Sequence, residues 1–341
     1  MELVDRFEVY PTGKYEREKE PLLKRLKLIL LFNPLTEWID TTHLMRLHLH
    51  DSTLDEGKKE GTPESKRRIA KFVRDYEINM DDFEPSDINK FRNFEDFFVR
   101  NHKPGSRPIN RPDDAYTAVC AADSRMVAYE TVAESKRLWI KGRDSSIASL
   151  TMDTAIGKQF AGGAVASFRL SPQDYHRYHS PVAGRIKLFR GIPGDYYDVD
   201  PVALNSDVDI LTRNKRQFVI IETENFGTFS SWRSARLVIH DKYREQGAAV
   251  KKGDELGIFQ FGGSSIIVAF CEGRIEFDKD LLEMSKRRVQ VAVEVGMSLG
   301  SAVPSSGRSF GRYGSGDSTP SAPPPPGELS YADVVQKAKD E

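Results

Sequence analysis

One stretch constrains this chain more than any other: Gly257-Ile258-Phe259-Gln260-Phe261-Gly262-Gly263-Ser264-Ser265-Ile266-Ile267-Val268. Two apolar, β-like runs flank a Gly-Gly-Ser-Ser break. That composition in isolation makes a flexible linker, but linkers do not normally sit inside a core, and glycine within a strand pattern marks a bulge or a close approach of backbones. A tight β-hairpin satisfies the pattern. So does a site of backbone chemistry, in which the Ser264 hydroxyl reaches the Gly263 carbonyl carbon through space that two missing side chains leave open. An N-to-O acyl shift would exchange the Gly263–Ser264 amide for an ester. Elimination would leave residue 264 as dehydroalanine, and tautomerisation and hydrolysis would turn that into a pyruvoyl group at a new amino terminus. The stretch by itself leaves hairpin and cleavage equally open.

The remaining pattern predicts an α+β fold. Residues 1–20 are charged and read as frayed. Over 21–100 the apolar residues recur at helical spacing: Leu22, Leu23, Leu26, Ile29 and Leu30, then Ile69, Phe72 and Val73, then an aromatic stripe of Phe91, Phe94, Phe97 and Phe98 that reads as a helix packed on the core. From about residue 104, Pro and Gly punctuate short apolar runs at 116–119, 164–170, 184–189, 218–222 and 258–270, which predict a mostly antiparallel β-core. Residues 280–285 read as a short helix and 289–295 as the last strand. The expected organisation is therefore a helical region over 1–100, a catalytic β-core over 101–300 and a disordered Ser/Gly/Pro-rich tail over 301–341.

Composition narrows the function classes. Fifty basic residues face 51 acidic ones, so net charge gives no argument for a nucleic-acid partner. Two cysteines, Cys120 and Cys271, form neither a metal-ligand spacing nor a disulfide framework, which favours a reducing compartment. Residues 1–10 lack the apolar run of a signal peptide, and the most apolar early stretch, 26–32, falls far short of the roughly 20 residues that span a bilayer. The expectation is a cytoplasmic protein without a transmembrane helix, not secreted. The amphipathic stretch 22–32 leaves peripheral contact with a membrane surface open.

Two further motifs carry chemistry. Ser171-Pro172-Gln173-Asp174-Tyr175-His176-Arg177-Tyr178-His179-Ser180-Pro181 holds two of the chain's seven histidines, the side chain best suited to move protons near neutral pH. No third ligand stands near them in metal-site spacing, so no metal is expected. Asp123, between the apolar runs of Val119-Cys120-Ala121-Ala122 and Met126-Val127, is a carboxylate placed where it can orient a histidine and stabilise its cation.

Taken together and in this order, these three segments resemble the phosphatidylserine decarboxylase family over roughly 91–300. The most specific pieces are Asp174-Tyr175-His176-Arg177-Tyr178-His179-Ser180-Pro181 and Phe261-Gly262-Gly263-Ser264-Ser265. Support comes from Phe97-Phe98-Val99-Arg100, Lys103-Pro104-Gly105-Ser106-Arg107-Pro108, Trp139-Ile140-Lys141-Gly142-Arg143 and Lys252-Gly253-Asp254-Glu255-Leu256-Gly257. The Trp-Ile-Lys-Gly-Arg piece and the helical extension look more like fungal branches than bacterial ones. The resemblance implies a triad of Asp123, His176 and Ser264, self-cleavage between Gly263 and Ser264, and a covalent pyruvoyl cofactor derived from Ser264. That group takes the substrate amine as a Schiff base and draws electrons as carbon dioxide leaves. His176 would return the proton, with His179, Gly262 and Ser265 in support. The substrate would be an amine-bearing carboxylic acid, phosphatidylserine or, as in some soluble fungal relatives, a free aromatic amino acid, and the assembly a homodimer. Two departures stand out. Ser124 replaces the glycine that usually follows the triad aspartate, and Ser230-Ser231-Trp232-Arg233-Ser234-Ala235-Arg236 replaces an apolar, glycine-rich strand pair. A different class, a carrier module, is suggested only by Lys251-Lys252-Gly253-Asp254, which is similar to biotinyl and lipoyl turns.

Overall fold

The computed structural model describes residues 7–9, 15–17, 58–138, 146–194, 214–234, 237–260 and 264–303. All of them lie in the unit Met1–Pro304. The stretch 22–32, the Trp139–Arg143 piece, the Gly262–Gly263 pair and the tail fall outside the described residues.

The strands in chain order are β1 (Phe7–Val9), β2 (Tyr15–Arg17), β3 (Phe83–Glu84), β4 (Asn101–His102), β5 (Thr117–Val119) and β6 (Ser124–Tyr129). They continue as β7 (Val165–Leu170), β8 (Arg177–His179), β9 (Gly184–Ile192), β10 (Arg216–Thr223), β11 (Gly227–Ser234) and β12 (Leu237–Ile239). The last are β13 (Ala249–Val250), β14 (Glu255–Phe259), β15 (Ser264–Phe270), β16 (Ile275–Phe277), β17 (Gln290–Val293) and β18 (Ser298–Ala302). A ten-stranded sheet runs β13-β9-β10-β11-β15-β7-β6-β17-β1-β2, beside smaller sheets β12-β14-β8, β16-β18-β5 and β3-β4. Every described pairing is antiparallel except β1 with β17. The fold is α+β, as the pattern of runs predicts.

Period-two alternation explains why the large sheet is buried on both faces. Along β15, Ile266, Val268 and Phe270 join one apolar cluster while Ile267 and Ala269 join another. Met126 and Ala128 of β6 alternate with Val127 and Tyr129 in the same way.

The structure departs from the sequence pattern in four places. Residues 7–9 and 15–17 pair on the edge of β17 instead of fraying, because backbone hydrogen bonds need no apolar side chain. The helical pattern of the amino-terminal region yields, within 58–100, two short helices, Ile69–Asp75 and Phe94–Phe98, set among 3-10 turns. Asn79, Asp87 and Asn93 each accept a hydrogen bond from an N–H two or three residues on, and so start a new turn where a longer helix would have run. The 258–270 run is two strands in two sheets, β14 and β15, which do not pair with each other. The two strands that flank the Gly-Gly-Ser-Ser break are therefore not the arms of one hairpin. Finally, β18 follows the expected last strand. Its Ser-Leu-Gly-Ser-Ala composition resembles a tail, but Leu299 is buried and Gly300 has φ +156° with no room for a Cβ, which would meet the Glu276 carbonyl oxygen at 2.3 Å.

The segment that departs from the family pattern still forms a strand. Arg233 of β11 pairs with Gln217 on one side and Ile266 on the other. Arg236 lies outside the described residues. No described helix is long and apolar enough to cross a membrane.

Candidate active site

Strand register brings the two ends of the candidate site together. Ala292, Arg125, Arg169, Ser265 and Ser234 stand in one row across β17, β6, β7, β15 and β11. One step outward come Ser264 and its partner Leu170, and Ser124 with Val293. Asp123 follows at once. With neighbouring strands about 4.8 Å apart, β6 and β15 are separated by roughly 10 Å, so Asp123 and Ser264 share one edge of the sheet.

The histidine segment is folded onto that edge by its own polar residues. The Asp174 carboxylate accepts from the Ser171 N–H at 2.7 Å and from Arg125 Nη1 at 2.6 and 2.8 Å, closing the turn that leaves β7. Arg100, buried between the rings of Phe83 and Phe97, donates from Nη2 to the Gln173 carbonyl at 2.6 Å. His176 is 1% exposed. Its main-chain oxygen accepts from the Phe259 N–H at 2.9 Å, which fixes it beside the end of β14, just before the segment that carries Gly263 and Ser264. The Phe98 ring lies 3.7 Å from the imidazole, so the aromatic stripe is more than core: one member walls off this histidine.

The two histidines sit in different fields. His176 Nδ1 lies 2.9 Å from the Asp174 carbonyl oxygen. A carbonyl can only accept, so the proton is on Nδ1 and Nε2 carries the lone pair. Burial is the main cause of a pKa lowered to about 3, opposed by that hydrogen bond and helped by the Arg100 charge. His179 Nδ1 donates to the Gly253 carbonyl at 2.8 Å and Nε2 meets the Tyr175 hydroxyl at 3.3 Å. Burial lowers His179 too; the hydrogen bond to Gly253, and after it the charges of Glu255 and Asp123, oppose that shift without reversing it. The His179 N–H also bonds the Ala121 carbonyl at 2.8 Å, two residues from Asp123. The resemblance pairs Asp123 with His176; among the described residues the imidazole hydrogen-bonded to Asp123 is His102, and Asp123 is a lesser influence on His179, after burial, Gly253 and Glu255.

Asp123 itself is held by groups the sequence pattern did not single out. Its Oδ2 accepts from Arg107 Nη2 at 2.9 Å, Arg107 Nε lies 3.2 and 3.0 Å from the two oxygens, and the Val295 N–H donates to Oδ1 at 2.8 Å. The imidazole that Asp123 meets is His102, with Nε2 3.2 Å from Oδ2. Burial alone would raise this carboxyl, but the hydrogen bonds from His102 and Arg107 win and hold it below the usual carboxylate range. Asp174 shows the opposite balance: burial outweighs Arg125 and raises it. The signal for Arg107 was present in the Lys103–Pro108 piece, and His102 precedes it directly.

A cavity of about 320 Å³ opens beside this edge, walled among others by Arg100, Arg107, Asp123, Ser124, Asp174 and Tyr175. The supporting Ser265 is buried. Ser264 stands at the start of β15. Lys252, the lysine of the carrier-like turn, is not displayed at a tip. Its ammonium donates to the carbonyls of Arg111 and Asp114 at 2.6 and 2.8 Å and to Thr117 Oγ1 at 2.6 Å.

Comparison with known proteins adds an independent line. The family model described as Phosphatidylserine decarboxylase matches residues 94–301, more than half of the chain. The chain is 43% identical over 250 residues to phosphatidylserine decarboxylase proenzyme 2 of Oryza sativa subsp. japonica, covering 72% of this chain and 40% of that protein. It is 34% identical over 294 residues to phosphatidylserine decarboxylase proenzyme 3 of Schizosaccharomyces pombe, covering 86% and 30%. It is 32% identical over 292 residues to the phosphatidylserine decarboxylase proenzyme of Fusobacterium nucleatum subsp. nucleatum, covering 85% and 95%. It thus spans less than half the length of the rice and fission-yeast proteins and nearly all of the bacterial one.

Proposed function

Because the chain belongs to the phosphatidylserine decarboxylase family, we propose that it cuts its own backbone between Gly263 and Ser264 and then decarboxylates phosphatidylserine. The observation that carries this reading is the shared edge: Asp123, the histidine segment and the start of β15 converge where two sheets exchange the chain. The cut would fall between two strands that are each paired on both sides, so fragments 1–263 and 264–341 stay associated.

The two histidines divide the work. His179 is the base that takes the Ser264 proton as the serine oxygen bonds to the Gly263 carbonyl carbon, and it hands that proton to the amide nitrogen as the C–N bond breaks and the amine leaves. His176 is kept neutral by burial, with its lone pair on Nε2. Its free Nε2 can take up a proton from the substrate's ammonium as the amine is captured, and a desolvated imidazole gives such a proton up readily, which suits it to return that proton to the substrate carbon that loses carbon dioxide. A pyruvoyl group at residue 264 would supply the electron sink for that loss. The residues present fit it: the position opens a strand, its neighbour Ser265 is buried, and the segment before it ends at Phe259, whose N–H is bonded to the main chain of His176.

The test is release of carbon dioxide by purified chain from vesicles containing phosphatidylserine, set beside free tryptophan. Release from the vesicles alone is expected. Release from tryptophan alone would replace the phospholipid by an aromatic amino acid. Borohydride added with substrate should leave an adduct on fragment 264–341, and an adduct on a lysine would remove the pyruvoyl group from the account.

A further inference from the structure

His102 closes β4 with its side chain 8% exposed, and both of its ring nitrogens face oxygens. Nε2 lies 3.2 Å from Asp123 Oδ2 and Nδ1 lies 3.2 Å from the main-chain oxygen of Asp82. Neither oxygen has a proton to give, so a hydrogen bond to either one must be donated by the ring. It is held flat between two aromatic rings. Phe83 stacks on it at 4.5 Å and 18°, and Tyr175 packs at 4.1 Å and 46°. The Tyr175 hydroxyl reaches His179 Nε2 at 3.3 Å. Because His179 Nδ1 spends its proton on the Gly253 carbonyl, Nε2 is the acceptor and Tyr175 the donor. The other charged groups around the ring are Arg107, which binds Asp123 and also lies 3.8 Å from Asp82 Oδ2 and 3.3 Å from Glu294 Oε1, and Glu294 itself.

We propose that His102 is a positioning residue for self-cleavage, which fixes the Asp123 carboxylate from one side and the Tyr175 ring from the other, so that Asp123 and Tyr175 together set the proton affinity and orientation of His179. Its part is to position these two groups, not to react. Arg107 alone could neutralise Asp123, but it leaves Tyr175 without its second wall. His102 is the side chain that contacts both the carboxylate and the phenol ring. The inference rests on the cleavage reading above.

The experiment follows maturation of full-length protein, by denaturing electrophoresis, in wild type, His102→Phe and His102→Gln. Phenylalanine keeps the stack between Phe83 and Tyr175 and removes both ring nitrogens; glutamine keeps a donor and loses the stack. His102→Phe should slow the appearance of fragment 264–341 at least tenfold while melting near wild type, and His102→Gln should recover part of the loss. In the uncleavable Ser264→Ala background, nitrogen-15 histidine spectra should show the His179 ring signals moved by His102→Phe. Should His102→Phe fail to fold, the His179 signals in His102→Gln decide the matter alone. Wild-type cleavage rates in His102→Phe, or unmoved His179 signals, would overturn the role of His102 while leaving self-cleavage intact. A wild-type chain that stays whole would overturn the cleavage reading, and this inference with it.

Discussion

The middle of the ten-stranded sheet and the groups gathered at its outer edge treat burial in opposite ways. In the middle, Met126, Phe168, Ile266 and Val268 are fully buried and apolar, and burial itself is the stabilising term. One row outward, Asp123, Arg107, His102, Asp174 and Arg125 are nearly as buried, and there burial is a cost that hydrogen bonds must offset. Asp123 and Asp174 mark the two outcomes: the first is stabilised as an anion by His102 and Arg107, the second is pushed toward its neutral form despite Arg125. An edge that tolerates such groups needs a rigid interior behind it. The difference predicts that lesions at the edge remove chemistry and lesions in the interior remove stability.

The largest expected effect is at the edge. Ser264→Ala should leave a folded, whole chain without decarboxylase activity, read by electrophoresis and carbon dioxide release; full cleavage in this variant would break the site assignment. Next, His176→Ala should still mature yet lose about 10²-fold or more in decarboxylation, the usual scale for removing a general acid–base. Normal turnover would take His176 out of the reaction. An interior lesion should do the reverse. Phe168→Ala is expected to cost about 3–5 kcal/mol in denaturant unfolding, and a loss below about 1 kcal/mol would erase the contrast between the regions.

The smallest effect is in pH. His176 has a folded pKa of about 3 against an ordinary 6.5, so the unfolded chain binds the extra proton between those values. Stability must then fall as pH drops through that window, by at most about 1.4 kcal/mol per pH unit from this one group. Asp123, held low, adds to the loss as pH falls through and below the usual carboxylate range, and Asp174, held high, works against it. Urea midpoints measured from neutral to acid pH should show a shallower slope in His176→Phe. An unchanged slope would mean that His176 is not buried neutral.

Much of this was legible in the sequence because it rests on local pattern. Apolar runs punctuated by Pro and Gly placed β7, β9 and β10, and the Asp-Tyr-His-Arg-Tyr-His run marked the segment that the structure folds against the end of β14. What escaped reading depends on register and on pairing between distant segments. The break at 262–265 has the composition of a hairpin turn, and nothing local says that β14 and β15 belong to different sheets. The partner of Asp123 was equally hidden: His102 lies twenty-one residues upstream and reaches the carboxylate only after β4 is laid against β3. The different surroundings of His176 and His179, Phe98 and Asp174 for the one and Tyr175 and Gly253 for the other, are nothing that a three-residue spacing can express. Polar composition likewise concealed β1 and β18, whose pairing is a property of backbone.

The most direct test of the account is the intact mass of the purified wild-type chain under denaturing conditions. The account predicts two chains divided between Gly263 and Ser264, the smaller one resistant to Edman degradation because a pyruvoyl group blocks its amino end. A single unbroken chain with a free serine at 264 would contradict it.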